Sequence, residues 1–247
     1  MINSTNVKAI FKRELKNYFS TPVAAVFLVI FLMLSSALTF YLGQFYERGQ
    51  ADLQAFFAFH PWLYLFLIPA ISMRLWSEER KTGTIELLMT LPISILDAVV
   101  GKYLAAWCFT TIALALTFPI WITVNYLGSP DNLVILAGYI GSLLMAGAFL
   151  AVGSCISAIS KNQVIAFVVT VVVCFGFIFS GFSLVLDFFQ AWMPQIFINA
   201  ISSLSFLTHF NDIQRGVIDL RDIIFFSSFI GCWLFANIIL VEMKKAD

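Results

Sequence analysis

Charge is what this chain has least of. Of its 247 residues only 11% are Asp, Glu, Lys or Arg, while 61% are hydrophobic. A soluble domain is about a quarter charged, so that class is excluded, and so is a separate soluble domain beside a membrane one. The formal net charge is zero. No bulk polyanion is therefore implied as a partner, and nucleic acid is not expected. Cysteine and histidine are also scarce. Cys108, Cys155, Cys174 and Cys232 sit in apolar runs without paired spacing, which reads as packing and not as disulfide or metal chemistry. His60 and His209 are too few to hold a metal by themselves. No G-x-x-x-x-G-K-[ST] loop occurs, so the chain is not expected to bind ATP through that device. H-E-x-x-H is missing too, and Gly181-Phe182-Ser183-Leu184-Val185 lacks the closing glycine of a nucleophile elbow. No catalytic residue, cofactor site or metal ligand is expected.

What fills the chain instead is long uncharged runs. A membrane-crossing helix needs about 20 apolar residues, and six runs qualify: 22–41, 53–73, 103–127, 133–159, 164–186 and 223–241. The expected fold is an all-α integral membrane protein with six crossings in a single domain, 1–247. Pro69 and Pro119 should kink the second and third crossings. In the fourth, Gly138, Ser142, Gly147 and Ala151 belong to a pattern of small residues four apart, which lets helices approach closely. Helix packing is the default role for them, and a subunit interface the sharper one. The crossings hold no Asp, Glu, Lys or Arg at mid-depth, which disfavours an ion-driven carrier and favours one that takes its energy from a partner.

Between and before these runs lie amphipathic segments. Residues 6–20 carry an apolar stripe of Val7, Ile10, Phe11, Leu15, Tyr18 and Phe19, with Lys8, Lys12, Arg13 and Lys16 on the other side. That pattern predicts an N-terminal helix lying in the lipid headgroups. The first apolar run starts too late and is too long for a cleavable leader. Residues 187–222 contain Pro194, Gln195, His209 and Gly216. They read as short re-entrant or outer-surface helices, tolerated at membrane depth only under protein or beside water. With six crossings and both ends inside, 11 of the 14 basic residues fall on the inner side and only Arg48, Arg215 and Arg221 on the outer. This bias obeys the positive-inside rule.

The longest polar interruption is 77–102. Glu86 and Asp97 would each cost roughly 2.5–3.5 kcal/mol at a helix centre, and Pro92 would break the ladder between them. The stretch therefore lies in water or at the interface, on the cytoplasmic side. Gly83 allows a turn, Thr84 is a candidate N-cap, and Ile85, Leu88 and Met89 share one face of a short helix. A solvated loop with an interfacial helix would account for as much.

Glu79-Arg80-Lys81-Thr82-Gly83-Thr84-Ile85-Glu86-Leu87-Leu88, followed by Leu91-Pro92-Ile93-Ser94, Asp97 and Gly101-Lys102, resembles the signature between the second and third helices of ABC-2-type transporter permeases. Within that family it is most similar to the gliding-motility-associated branch. The resemblance extends over essentially the whole chain, including Ser205 to Phe210 and Gly216-Val217. It implies a permease that dimerises, pairs with two separate ATPase subunits that carry the ATP and Mg, and sits in a bacterial inner membrane with both termini cytoplasmic. It also implies that Glu79, Thr84, Glu86, Leu87, Leu88, Thr90 and Pro92 belong to a coupling helix seated on the ATPase, within a cytoplasmic segment 77–101. Lys161 and Asn162 would form a second cytoplasmic turn. The outer segment, with Pro194, His209 and Gly216, would gate the exit or hold a periplasmic or membrane-anchored accessory protein. The cargo is not legible; ATP-driven export is the implied activity. The alternative is transmission of force across the membrane to a periplasmic partner without a moving substrate.

Overall fold

The structure is a computed structural model that describes residues 3–85, 93–182, 185–187 and 194–243. Among the described residues every regular element is a helix. They run α1 Ser4–Ser20, α2 Pro22–Ala37 with a π turn at Leu38–Leu42, α3 Gln54–Ala58, α4 His60–Ser72, α5 Arg74–Thr82 and α6 Ile95–Ala115. Then follow α7 Phe118–Leu127, α8 Asn132–Ile159, α9 Gln163–Phe179, α10 Gln195–Ser203, α11 Phe206–Gln214 and α12 Leu220–Met243. Four stretches are long and apolar enough to cross a membrane: Ala24–Leu42, Ile95–Leu127, Asn132–Ile159 and Leu220–Met243.

The organising element is α8. It packs against α4, α5, α6, α9, α11 and α12. Small residues make this possible. A Cβ at Gly138 would meet the Phe57 ring at 2.5 Å, and one at Gly147 would meet the Tyr103 hydroxyl at 2.9 Å and the Trp107 indole nitrogen at 3.0 Å. The same two aromatic residues donate hydrogen bonds to α8 carbonyls, Tyr103 to Gly147 and Trp107 to Leu143. Ser142 shares a 2.7 Å hydrogen bond with the Tyr64 hydroxyl, and Ala151 is buried. A second buried polar contact runs from Asn237 of α12 to Ser154.

Several boundaries differ from the sequence reading. The second uncharged run is not one helix. It breaks at Phe59 and again at Met73, leaving α4 with 13 residues, about 20 Å of axial length against a hydrocarbon core of about 30 Å. Pro61 opens α4 at a position where its missing N–H costs nothing, and Pro69 removes a ladder bond one turn before the break. In the third run the break falls at Leu116–Thr117, just before Pro119. The fifth run ends as a helix at Phe179, because the chain turns at Ser180–Gly181 against Ser205, which a Cβ on Gly181 would meet at 2.6 Å. Residues 74–82 are a helix of their own, where the sequence reading had only a charged stretch ahead of a short helix capped at Thr84. Gly83, with φ 71°, closes α5 in the left-handed conformation that glycine tolerates best. Thr84 and Ile85 are already helical, so Thr84 sits inside the next helix and not at its cap.

The apolar face of α1, expected to lie in the headgroups, packs on the protein. Its stripe lies against α6, with Ile10 buried and the Tyr18 ring stacked on Phe109. Gly101 permits the approach, since a Cβ there would stand 2.9 Å from Ile10.

Candidate coupling site

At one end of the bundle, α5 and the end of α8 complete each other. The backbone N–H groups of Trp76 and Ser77, both orphans at a helix start, donate to the Ser157 hydroxyl at 3.1 Å. Ser157 in turn donates to the Met73 carbonyl at 2.8 Å. One turn further on, the Arg80 guanidinium donates to the Ala158 and Ile159 carbonyls at 2.7 and 2.8 Å, the terminal acceptors of α8. The chain then turns at Ser160–Asn162, where the Asn162 side chain accepts from Val164 N–H and starts α9. Exposed Lys161 and Asn162 thus stand beside the C-terminal end of α5, where Gly83, Thr84 and Ile85 lead into the rest of the 77–101 segment.

Beneath this surface lies a cluster of ionised groups. Lys102 is only 2% exposed. Its ammonium contacts the Glu79 carboxylate at 2.9 Å and Glu14 at 3.3 Å, donates to the Leu75 carbonyl at 2.9 Å, and lies 5.2 Å from the centre of the Trp76 ring. Arg13 reaches the same two carboxylates, Glu14 at 2.6 Å and Glu79 at 3.5 Å. Two cations face two anions, with Arg13 closing the cluster from its exposed side, and such pairing is the condition under which buried charge is tolerated. Burial alone would raise the Glu14 carboxyl, but Lys102 and Arg13 outweigh it and hold it below the ordinary carboxylate range. In the first turn of α6, buried Asp97 accepts the Asn3 N–H at 2.9 Å, tying down the start of α1, while Ser94 caps α6 by accepting from Asp97 N–H. The cluster joins α1, α5 and α6 into one rigid unit.

Glu79, expected at a docking surface, turns its carboxylate inward to Lys102. Thr84 is exposed. Glu86, Leu87, Leu88, Thr90 and Pro92 lie outside the described residues. Gly138, Ser142, Gly147 and Ala151 lie in the contacts of α8. At the other end of the bundle, Pro194 precedes α10, and Gly216 adopts φ 88° against Val134. His209 is buried there, with Nδ1 2.6 Å from Asp222 and Nε2 3.0 Å from the Ser203 carbonyl, joining α10, α11 and α12. Sequence reading missed Glu14, Ser157 and Asp222 as structural groups. Glu14 left a trace: it is the lone acid among the cations of α1. Ser157 left none.

Long apolar helices, with a polar end that two distant segments build together, indicate a multi-pass membrane protein. Residues 5–218 match the family model of ABC-2 type transporters, and the chain belongs to that family. It is accordingly the transmembrane, permease component of an ABC transporter, with ATP hydrolysis carried by separate ATPase subunits with which it associates. No curated protein matches the chain.

Proposed function

We propose that the chain is the permease of an ATP-driven exporter of the gliding-motility-associated branch, working as a dimer with two ATPase subunits in a bacterial inner membrane. Both termini are cytoplasmic, and the broken run α3–α4 together with α9 completes six crossings with the four long apolar stretches. The observation that carries the docking half of this reading is the mutual capping of α5 and α8. It brings Gly83–Ile85 and Lys161–Asn162 to one surface, although nearly 80 residues separate Arg80 from the carbonyls it caps. A coupling helix running on from Thr84 would be pushed by the ATPase, and the Glu14–Lys102–Glu79 cluster would pass that push to α1 and α6 together. The membrane crossings would re-pack in response.

A charge reversal tests it. Glu86→Lys places a like charge where complementary partners should meet, which can cost several kcal/mol. The variant should insert normally but lose copurification of the ATPase or uncouple its ATP turnover. Glu47→Lys, on the outer loop, should do neither. Equal behaviour of the two variants would remove the docking assignment.

Transmission of force without a moving substrate draws on one observation. The small-residue face of α8 is filled, with Gly138 under Phe57 and Gly147 under Tyr103 and Trp107, so within one chain that face leaves no passage. Reconstituted dimers that hydrolyse ATP and remodel a periplasmic partner, while moving nothing across the bilayer, would decide for it.

A further inference from the structure

Where α1 and α2 face α4 and α5 there is a crevice of about 240 Å³. Its walls are apolar, with Phe27, Leu67, Ile71 and Phe109 among them, and its end beside α5 is polar. Three charged residues line that end: Glu14, Arg74 and Glu78. Glu14 is already engaged by Lys102 and Arg13. Arg74 is different. It forms no ion pair among the described residues, and its Nε is buried without a hydrogen-bond partner. The guanidinium cannot lose its proton and is only half-buried, so it can hold an anion that enters the crevice. Glu78, four residues on and therefore on the same side of α5, likewise forms no ion pair among the described residues. The polar end thus offers a cation and an anion that are not satisfied by each other.

The rim of the crevice points to the rest of the ligand. Val26 and Ile30 of α2 line it and are exposed, and Met33, one turn further along the same helix, is 66% exposed. An apolar track therefore runs from the crevice along a helix long enough to cross a membrane. We propose that this crevice binds a phospholipid whose headgroup carries a phosphate and a primary ammonium, the phosphate on Arg74, the ammonium on Glu78, and an acyl chain along α2. Charge decides the headgroup. A purely anionic lipid such as phosphatidylglycerol would pair its phosphate with Arg74 but bring no cation to Glu78. A quaternary ammonium has no N–H to donate to the carboxylate. The bound lipid would fix α1–α2 against α4–α5, beside the ion cluster. The proposal rests on the reading that this end of the bundle lies at the membrane surface. It is tested on the permease alone, so its outcome does not depend on ATPase docking.

The full chain, purified in detergent and stripped of lipid, is titrated with dioleoyl phosphatidylethanolamine, phosphatidylcholine or phosphatidylglycerol, and bound lipid is read by native mass spectrometry and thermal shift. The wild type should prefer the ethanolamine lipid about tenfold over the choline lipid, the loss expected for one hydrogen bond to a charged group. Arg74→Gln should lower the affinity for all three lipids tenfold or more, and Arg74→Lys should recover part of it. Glu78→Gln should bind ethanolamine and choline lipids alike. Ethanolamine-lipid binding unchanged in Arg74→Gln would overturn the proposal, as would preference for the glycerol lipid, which would mean general attraction to the basic face of α1. If Arg74→Gln does not fold, Glu78→Gln decides, because its exposed side chain is not needed for packing: an unaltered preference in that variant overturns the assignment.

Discussion

Lys102 sits where a single substitution should be most informative. A buried ion pair is weak evidence of net stabilisation, but removing one partner leaves the other charges uncompensated, at a cost of about 3–5 kcal/mol. Lys102→Met should therefore lower the thermal midpoint in detergent sharply. Combining it with Glu14→Gln and Glu79→Gln should recover most of the loss, since the buried charges are then gone and the one that remains, on Arg13, is carried by a side chain 53% exposed to solvent. Glu14 adds a pH signature. Its carboxyl titrates below the ordinary range in the folded protein, so the stability it contributes is present above the unfolded carboxylate pKa and is lost as pH falls through the lower, folded one. Acid unfolding curves of wild type and Glu14→Gln should separate at neutral pH and converge on the acid side. Parallel curves throughout would show that the group is not linked to folding.

At the scale of elements, α8 is where bulk is least tolerated. Gly147→Leu drives a side chain into Tyr103 and Trp107. Overpacking of this kind costs about 1–3 kcal/mol or more, and here it also disturbs two hydrogen bonds to α8 carbonyls. Reduced yield of folded protein and a lower melting temperature are the expected results, and a normal melting profile would contradict the close packing. The α5–α8 junction should respond differently. Arg80→Ala removes two charge-assisted hydrogen bonds from the end of α8, each worth about 1.5–3 kcal/mol at most. The bundle should stay folded, because Ser157 still caps the start of α5, while ATPase copurification falls. Full ATPase association in Arg80→Ala would show that the two cytoplasmic segments need not be held together.

The whole molecule is asymmetric in charge, with the ion cluster and most of the cations at the end that carries α1, α5 and the Ser160–Asn162 turn. In the proposed topology, which rests on the positive-inside bias, that end is cytoplasmic. A reporter active only outside the cytoplasm, fused after Asp247, should stay silent, and the same reporter inserted at Gly49 should be active. Activity after Asp247 would mean either an odd number of crossings or an inverted molecule, and would overturn the six-crossing topology with both ends inside.

Composition and periodicity were enough for the class of the protein and for most of its helices. The α8 boundaries, Asn132–Ile159, fall within a residue of the reading from sequence, because an uncharged run bounded by Asp131 and Lys161 is a local pattern. The amphipathic α1 was legible for the same reason. Local patterns could not foresee that α1 lies on α6 with Gly101 as the point of approach, that Glu79 faces inward, or that Asp97 and Lys102 are buried. A charge is expelled from an apolar environment unless partners arrive. Here the partners come from far along the chain, Glu14 from 88 residues away and Asn3 from 94. Only the tertiary structure decides whether such groups meet. It decides likewise whether a proline at position 69 merely bends a crossing or, with a seryl cap waiting at Ser157, ends one helix and begins another.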